Sequence, residues 1–199
     1  MVNTARTGSR EQKHTETRSR IALEGIRLFE SHGYDATTLE AVAIASGISP
    51  RTLYHYFKTK YDILLFFHDE GFIPEISRTI LSLPRQLGPL GVAQKCLMTL
   101  APKYETKTMA VTYRIWNSTE KLKAEKLLAF KQIEMAIYEA LREVWPKDEE
   151  QATVKSAAMA AAGALRLAMD AGQAEGDSQP LESRLADSFQ ALTALLRGE

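Results

Sequence analysis

The chain has 199 residues, with 25 Lys+Arg against 25 Asp+Glu and therefore no formal net charge. Its 45% hydrophobic and 25% charged residues are those of an ordinary globular protein long enough to bury a core without disulfides or metals. The single cysteine, Cys96, excludes an internal disulfide framework and a Cys-based zinc cluster, and zero net charge argues against a uniformly basic nucleic-acid binder.

Residues 1–17 are polar and lack apolar periodicity, so they read as a flexible arm rather than a secretory leader. No run of 18 apolar residues occurs, so no membrane span is expected and the cytoplasm is the default compartment. From there apolar residues recur at helical spacing almost to the end, and no convincing run alternates with period two. The chain therefore reads as all-α, with about nine helices.

The first helix is expected over about 17–32. Ile21, Gly25, Leu28 and Phe29 make its buried stripe, and Gly33 is placed to close it in a left-handed cap. A second, short helix starts near Thr37-Thr38, where the Thr37/Glu40 spacing is that of a capping box. It ends at Ala45-Ser46-Gly47. The third begins at Ser49-Pro50, a strong N-cap followed by a proline that loses no hydrogen bond at the first helical position. Two short helices joined by a glycine-containing turn make a helix-turn-helix.

With Ile48, Leu53 and Phe57 turned to the core, Arg51, Thr52 and His55 face outward, flanked by Tyr54 and Tyr56. That face offers a cation, a hydroxyl, an imidazole and phenols without a carboxylate, which suits phosphates and base edges in a major groove. Beyond Lys60, helices are expected at about 61–82 (bent near Pro74), 88–101, 106–118, 119–145, 148–174 and 180–197.

Arg18-Ser-Arg-Ile21, Leu28-Phe29, Gly33-Tyr34, Thr37-Thr38, Val42-Ala43, Ala45-Ser46-Gly47-Ile48-Ser49, Thr52-Leu53-Tyr54, Tyr56-Phe57 and Lys60 resemble the N-terminal DNA-binding domain of the TetR (tetracycline-repressor) family. The resemblance covers about residues 18–64 without a gap. It implies a homodimer that binds double-stranded operator DNA through a head at 18–60. A body at 61–199 would bind a small hydrophobic effector and dimerise. It places Thr37 or Thr38 and Lys60 at phosphates, and Ser49, Arg51, Thr52, Tyr54, His55 and Tyr56 on or beside the recognition helix. Arg51 stands where many relatives have glycine and adds a group that can pair with guanine. Arg6 and Arg10 either reach DNA from the arm or belong to a solvated tail. The segment Arg114-Ile-Trp with Ser118-Thr-Glu-Lys-Leu122 is diffusely similar to regulators of this family with acyl-CoA-like ligand domains.

An apolar pocket between body helices is the expected ligand site. Phe66, Met98, Met109, Tyr113, Trp116 and Phe130 are its candidate walls, and Arg114 and His68 its polar candidates, with a surface position for either of the last two equally open. His68-Asp69-Glu70 otherwise reads as a solvated helix face. The small residues around Ala161 and Leu165, with the stripe Leu181, Leu185, Phe189 and Leu192, are expected to form half of an intermolecular four-helix bundle.

No phosphate loop, HExxH, GxSxG or close His/Cys/carboxylate set occurs, so no catalytic residue, metal ligand or cofactor is expected. The competing reading is a helical partner-binding module that does not bind an operator. The zero charge itself is a cancellation: residues 1–60 hold nine Lys/Arg and six Asp/Glu, a net +3, and the remainder carries −3. That fits a protein that meets DNA at one end.

Overall fold

A computed structural model describes residues 4–173 and 179–197, the side chains of residues 4–11, 149, 196 and 197 excepted. The described residues contain helices and turns and no strand. The head comprises α1 (Thr4–His32), α2 (Leu39–Ala45) and α3 (Pro50–Tyr56), followed by α4 (Lys60–Phe67). A π-helical turn, His68–Phe72, carries α4 without a break into α5 (Ile73–Ser82). The body continues with α6 (Gly88–Tyr104), α7 (Lys107–Trp116), α8 (Glu120–Val144), α9 (Gln151–Ala171) and α10 (Leu181–Arg197). With the α4–α5 rod counted once, the described residues form nine helices, the expected number.

The first helix is longer than the sequence implies, since residues 4–17 continue α1 instead of forming an arm. Helix formers at Glu11, Gln12 and Lys13 favour this. Gln12 donates to Glu16 one turn on at 3.1 Å, and the His14 ring lies 4.7 Å from that of Tyr56. The Arg6 and Arg10 side chains lie outside the described ones.

Ile21, Ala22, Ile26 and Phe29 of α1 pack with Leu39, Val42, Leu53 and Phe57 to form the head core. That core does not stop at Lys60. It includes Ile63, Leu64, Leu65 and Phe66 of α4 and reaches Ile115, Trp116, Leu122 and Ala129 of the body. Gly33 has φ +88° and Gly47 φ +66°, the left-handed conformation that lets glycine end one helix and turn between the next two.

The widened turn in the α4–α5 rod has a local cause. Pro74 has no N–H to offer the carbonyl of Glu70 four residues back, and the Ile73 N–H reaches His68 O, five residues back. A second core lies among α5, α6, α8, α9 and α10. Ala157, Ala158, Ala161, Ala162, Ala164 and Ala168 of α9 are all buried there. Small side chains let neighbouring helices approach closely, and α8, α6 and α10 all pack on α9.

Leu165, Leu181, Leu185 and Phe189 lie inside this same core, and Leu192 packs against it. Ala161, Leu165, Leu181, Leu185 and Phe189 therefore face inward rather than outward as the stripe suggested, while half-buried Leu192 also lines an outer groove. The stripe faces the protomer's own interior because α10 needs it to pack on α9 and α6. The Leu196 side chain lies outside the described ones. No helix among the described residues is long and apolar enough to cross a membrane.

Candidate DNA-facing head and ligand cavity

Two candidate sites adjoin the α4–α5 rod: the head packs on α4, and a cavity is lined by Leu64, His68 and Phe72. At the head, Ser49 caps α3: its hydroxyl accepts from Thr52 N at 3.1 Å and shares a hydrogen bond with Thr52 Oγ1 at 2.8 Å. Arg51 and His55 are exposed on the outer face, Thr52 and Tyr56 are half-buried, and Leu53 and Phe57 are fully buried beneath. Arg20 holds the turn in place by donating to Ser46 O at 2.7 Å.

The cap of α2 falls to Thr38, whose hydroxyl accepts from Ala41 N. Thr37 is not the cap that the Thr37/Glu40 spacing suggested. It is buried and donates to Gly33 O at 2.8 Å, tying the end of α1 to the start of α2.

Two further placements depart from the outer face read in the sequence. Tyr54 donates to Glu40 of α2 at 3.0 Å, so a carboxylate does reach this surface. Glu40 is held below the usual carboxylate range by its backbone hydrogen bond and by this phenol, and the carboxylate in turn raises the Tyr54 pKa. Lys60 Nζ bonds Tyr34 O at 2.5 Å and Asp35 O at 3.2 Å, 4.5 Å from the Tyr34 ring centroid. It thus fastens the α1–α2 loop to α4. Spacing along the sequence marks neither contact, because each joins separate elements.

In the body a cavity of about 310 Å³ opens between α4, the π turn, α6, α7, α8, α9 and the start of α10, within the usual size of small-molecule sites. Met109, Tyr113, Trp116 and Phe130 line it as expected, and so does His68. His68 is 6% exposed, so it is not part of a solvated face. Phe66 sits instead in the head core against Phe57, with ring centroids 5.9 Å apart. Met98 packs at the edge of the body core. Arg114 points away from the cavity and pairs with Glu30 of α1 at 2.6 Å. Its register on α7 puts it opposite the buried face of Thr112, Tyr113, Ile115 and Trp116.

Beside the cavity lies a buried cation that the sequence reading missed. Lys126, 7% exposed, bonds Asn117 Oδ1 at 2.7 Å and Asp170 Oδ1 at 2.9 Å. Tyr113 donates to the same Asp170 oxygen at 2.6 Å. Burial first, and then this bond, push the Tyr113 pKa far up. The signal was present: Leu122, Lys126, Ala129, Phe130 and Ile133 share one face of α8, and a lysine on an apolar face needs a buried partner. Cys96 is fully buried, its thiol pushed up to about 12 by burial, and reads as packing.

Two features thus define the class: a helix-turn-helix presented outward, and a largely apolar cavity in the helical body that the same rod reaches. Residues 23–65 match the family model "Bacterial regulatory proteins, tetR family". The chain is 36% identical over 58 residues to the HTH-type transcriptional regulator TcmR of Streptomyces glaucescens, a match spanning 29% of this chain and 26% of that protein. The chain thus matches only about a quarter of that curated relative's length.

Over most of its length the fold is similar to that of Thermus thermophilus FadR, a TetR-family repressor solved with lauroyl-CoA, at TM-score 0.55 and 20% identity over 88% of this chain and 93% of that one. It is also similar to SmeT, repressor of the Stenotrophomonas maltophilia multidrug efflux pump SmeDEF, at TM-score 0.61 and 17% identity over 89% of both chains. A SmeT–triclosan complex gives 0.57 at 19% identity, over 88% of this chain and 91% of that one. The head thus matches the tetR family of bacterial regulatory proteins over residues 23–65, and the whole chain shares the fold of these solved regulators.

Proposed function

We propose that the protein is a ligand-responsive transcriptional regulator, a repressor that a small hydrophobic effector releases from a palindromic operator. The observation that carries this reading is the α4–α5 rod. Within one π turn, His68 lines the cavity and Glu70 pairs with Arg18 of α1. Arg18 also stacks over Phe57, 5.2 Å from its ring centroid, at the end of the recognition helix. A ligand pressing on the turn therefore acts on the head through a short path of packed groups. The shift it produces is limited by its preference for one arrangement of the heads over the other.

At the head, Arg51 and His55 are the groups that reach base edges, aided by Thr52, Tyr54 and Tyr56. The Thr38 end of α2 takes phosphate through its helix N-terminus. Lys60 serves phosphate from the position where it holds the α1–α2 loop. Two copies related by a two-fold axis set the heads about 34–36 Å apart, the spacing of successive major-groove faces. An acyl chain, as in the FadR complex, and triclosan, as in the SmeT complex, are both apolar occupants of this fold, and the effector here is of that general kind.

Footprinting on the DNA upstream of the protein's own gene, with and without apolar ligands, tests the proposal. A symmetric protected site that is lost on adding ligand is expected. Absence of any protected site would sink the regulatory reading and favour a partner-binding module.

A further inference from the structure

We infer that Glu40 and Tyr54 together read an exocyclic amino group, cytosine N4 or adenine N6, in the major groove. The inference rests on the reading of the head as DNA-binding, and it adds Glu40 to the base-reading groups. Tyr54 of α3 donates to Glu40 Oε1 of α2 at 3.0 Å, so one hydrogen bond joins the two helices of the helix-turn-helix on their exposed side. Glu40 is exposed, and Tyr54 is 40% exposed. Arg51, one turn before Tyr54 on α3, is exposed as well, and residues three apart share a helix face.

The charge of the pair follows from its surroundings. Glu40 is held below the usual carboxylate range first by its backbone hydrogen bond, then by the Tyr54 phenol and the Thr38 hydroxyl, with no cation among the causes. It is therefore ionised at neutral pH. Lys58, one turn beyond Tyr54, bonds Tyr54 O at 2.5 Å, and none of the described ion pairs involves Glu40. A helix dipole accounts for an acidic residue in the first turn of α2, but not for its bond across to α3.

An ionised carboxylate only accepts, so the phenol proton goes to Glu40 and the Tyr54 oxygen keeps its lone pairs. The pair thus presents acceptors only, beside Arg51, which only donates. Phosphate oxygens and guanine O6 and N7 are acceptors themselves and gain nothing from it. The amino groups of cytosine and adenine are the donors that the major groove offers. Each base pair carries one such group, on one strand, so Glu40 and Tyr54 distinguish C·G from G·C or A·T from T·A. Where the amino group lies on the other strand, the carboxylate faces acceptors and phosphates, and an unpaired charge set against the wrong partner is a source of specificity.

Equilibrium binding of the full chain to three kinds of duplex tests this: the footprinted duplex, its set of single base-pair substitutions, and a scrambled duplex of equal length. Glu40→Ala and, independently, the milder Tyr54→Phe should each lose a preference of about tenfold for C·G over G·C, or for A·T over T·A, at the same single position. Glu40→Ala should also bind the scrambled duplex severalfold more tightly. A loss spread evenly over all duplexes would overturn the inference by making the pair a structural clasp between α2 and α3. Tighter binding of the scrambled duplex without a loss confined to one position would overturn it by leaving Glu40 a repulsive charge alone. Unchanged affinities in both variants would overturn it and leave the DNA-binding reading standing. Failure of the unsubstituted chain to bind any duplex would overturn the inference together with that reading.

Discussion

Single residues decide how tightly the head is joined to the rod. A Cβ on Gly25 would lie 2.7 Å from Ile63 Cγ2, closer than two carbons can pack. Gly→Ala inside a helix usually stabilises by about 1 kcal/mol through propensity, whereas overpacking costs about 1–3 kcal/mol. Gly25→Ala should therefore lower the thermal midpoint instead of raising it. Ile63→Leu, which moves the branch off Cβ, should recover part of the loss in the double variant; a higher midpoint for Gly25→Ala alone would contradict the packing.

Arg51 is a test of a different kind. If its guanidinium reads a guanine, Arg51→Ala costs about 1–3 kcal/mol at one base position only, measurable by binding to a set of single-substituted operators. A uniform loss would make it a phosphate contact.

Alkaline pH probes two half-buried phenols. Burial is the main cause that raises Tyr34 and Tyr61 to about 12 from 10. The folded state therefore holds these protons more tightly than the unfolded one. The stability this gives is complete below pH 10 and is lost as pH rises towards 12. Urea midpoints should fall across that window as tyrosinate absorbance rises, and fall less in Tyr61→Phe. Of these features, only the aromatic and glycine identities can be read from the sequence. That Gly25 meets Ile63, or that Lys60 meets Tyr34, depends on how two helices cross.

Helices were legible because their ends are written locally. Ser49-Pro50, Thr106, Thr119 and Gly33 each mark a boundary by its own hydrogen bonds or φ, and α3, α8 and α10 begin and end within a residue or so of their expected positions. The start of α1 was misread because residues 4–17 carry no apolar stripe, and a polar stretch can be helical when it extends a helix already nucleated. The π turn was legible only as a bend at Pro74, although it is what links the two sites. In the coupled reading, Glu70→Ala frees Arg18 from the turn without touching the cavity. It should leave ligand affinity within about twofold, since the pair is partly exposed and individually weak. The ligand concentration that releases the operator should nevertheless rise. Unchanged release at equal occupancy would remove this turn from the signal path.

For the molecule as a whole, the proposed dimer raises the question of what a two-fold partner would cover. Buried Leu185 and Phe189 cannot meet it, but the outer faces of α9 and α10 expose Leu167 at 56%, Met159 at 53% and Leu195 at 76%. A groove between these helices runs past Leu167, Ala171, Ala191 and Leu195. Apolar side chains clustered on the outer face of a helix pair are the mark of an interface, and an isologous contact there would use the same residues from both copies. Heptad spacing in α10 correctly identified an apolar stripe but could not tell which neighbour it serves, because packing on α9 and on a second α10 require the same pattern. Two substitutions separate the cases. Leu167→Glu should yield a folded monomer by sedimentation, with unchanged helicity and a large loss of operator affinity, since an unyoked head keeps only half the site. Leu185→Glu buries a charge in the body core and should cost the fold itself, seen as lost helicity at any concentration. A dimeric Leu167→Glu protein, or a folded monomeric Leu185→Glu protein, would return the interface to the stripe that the structure places inside.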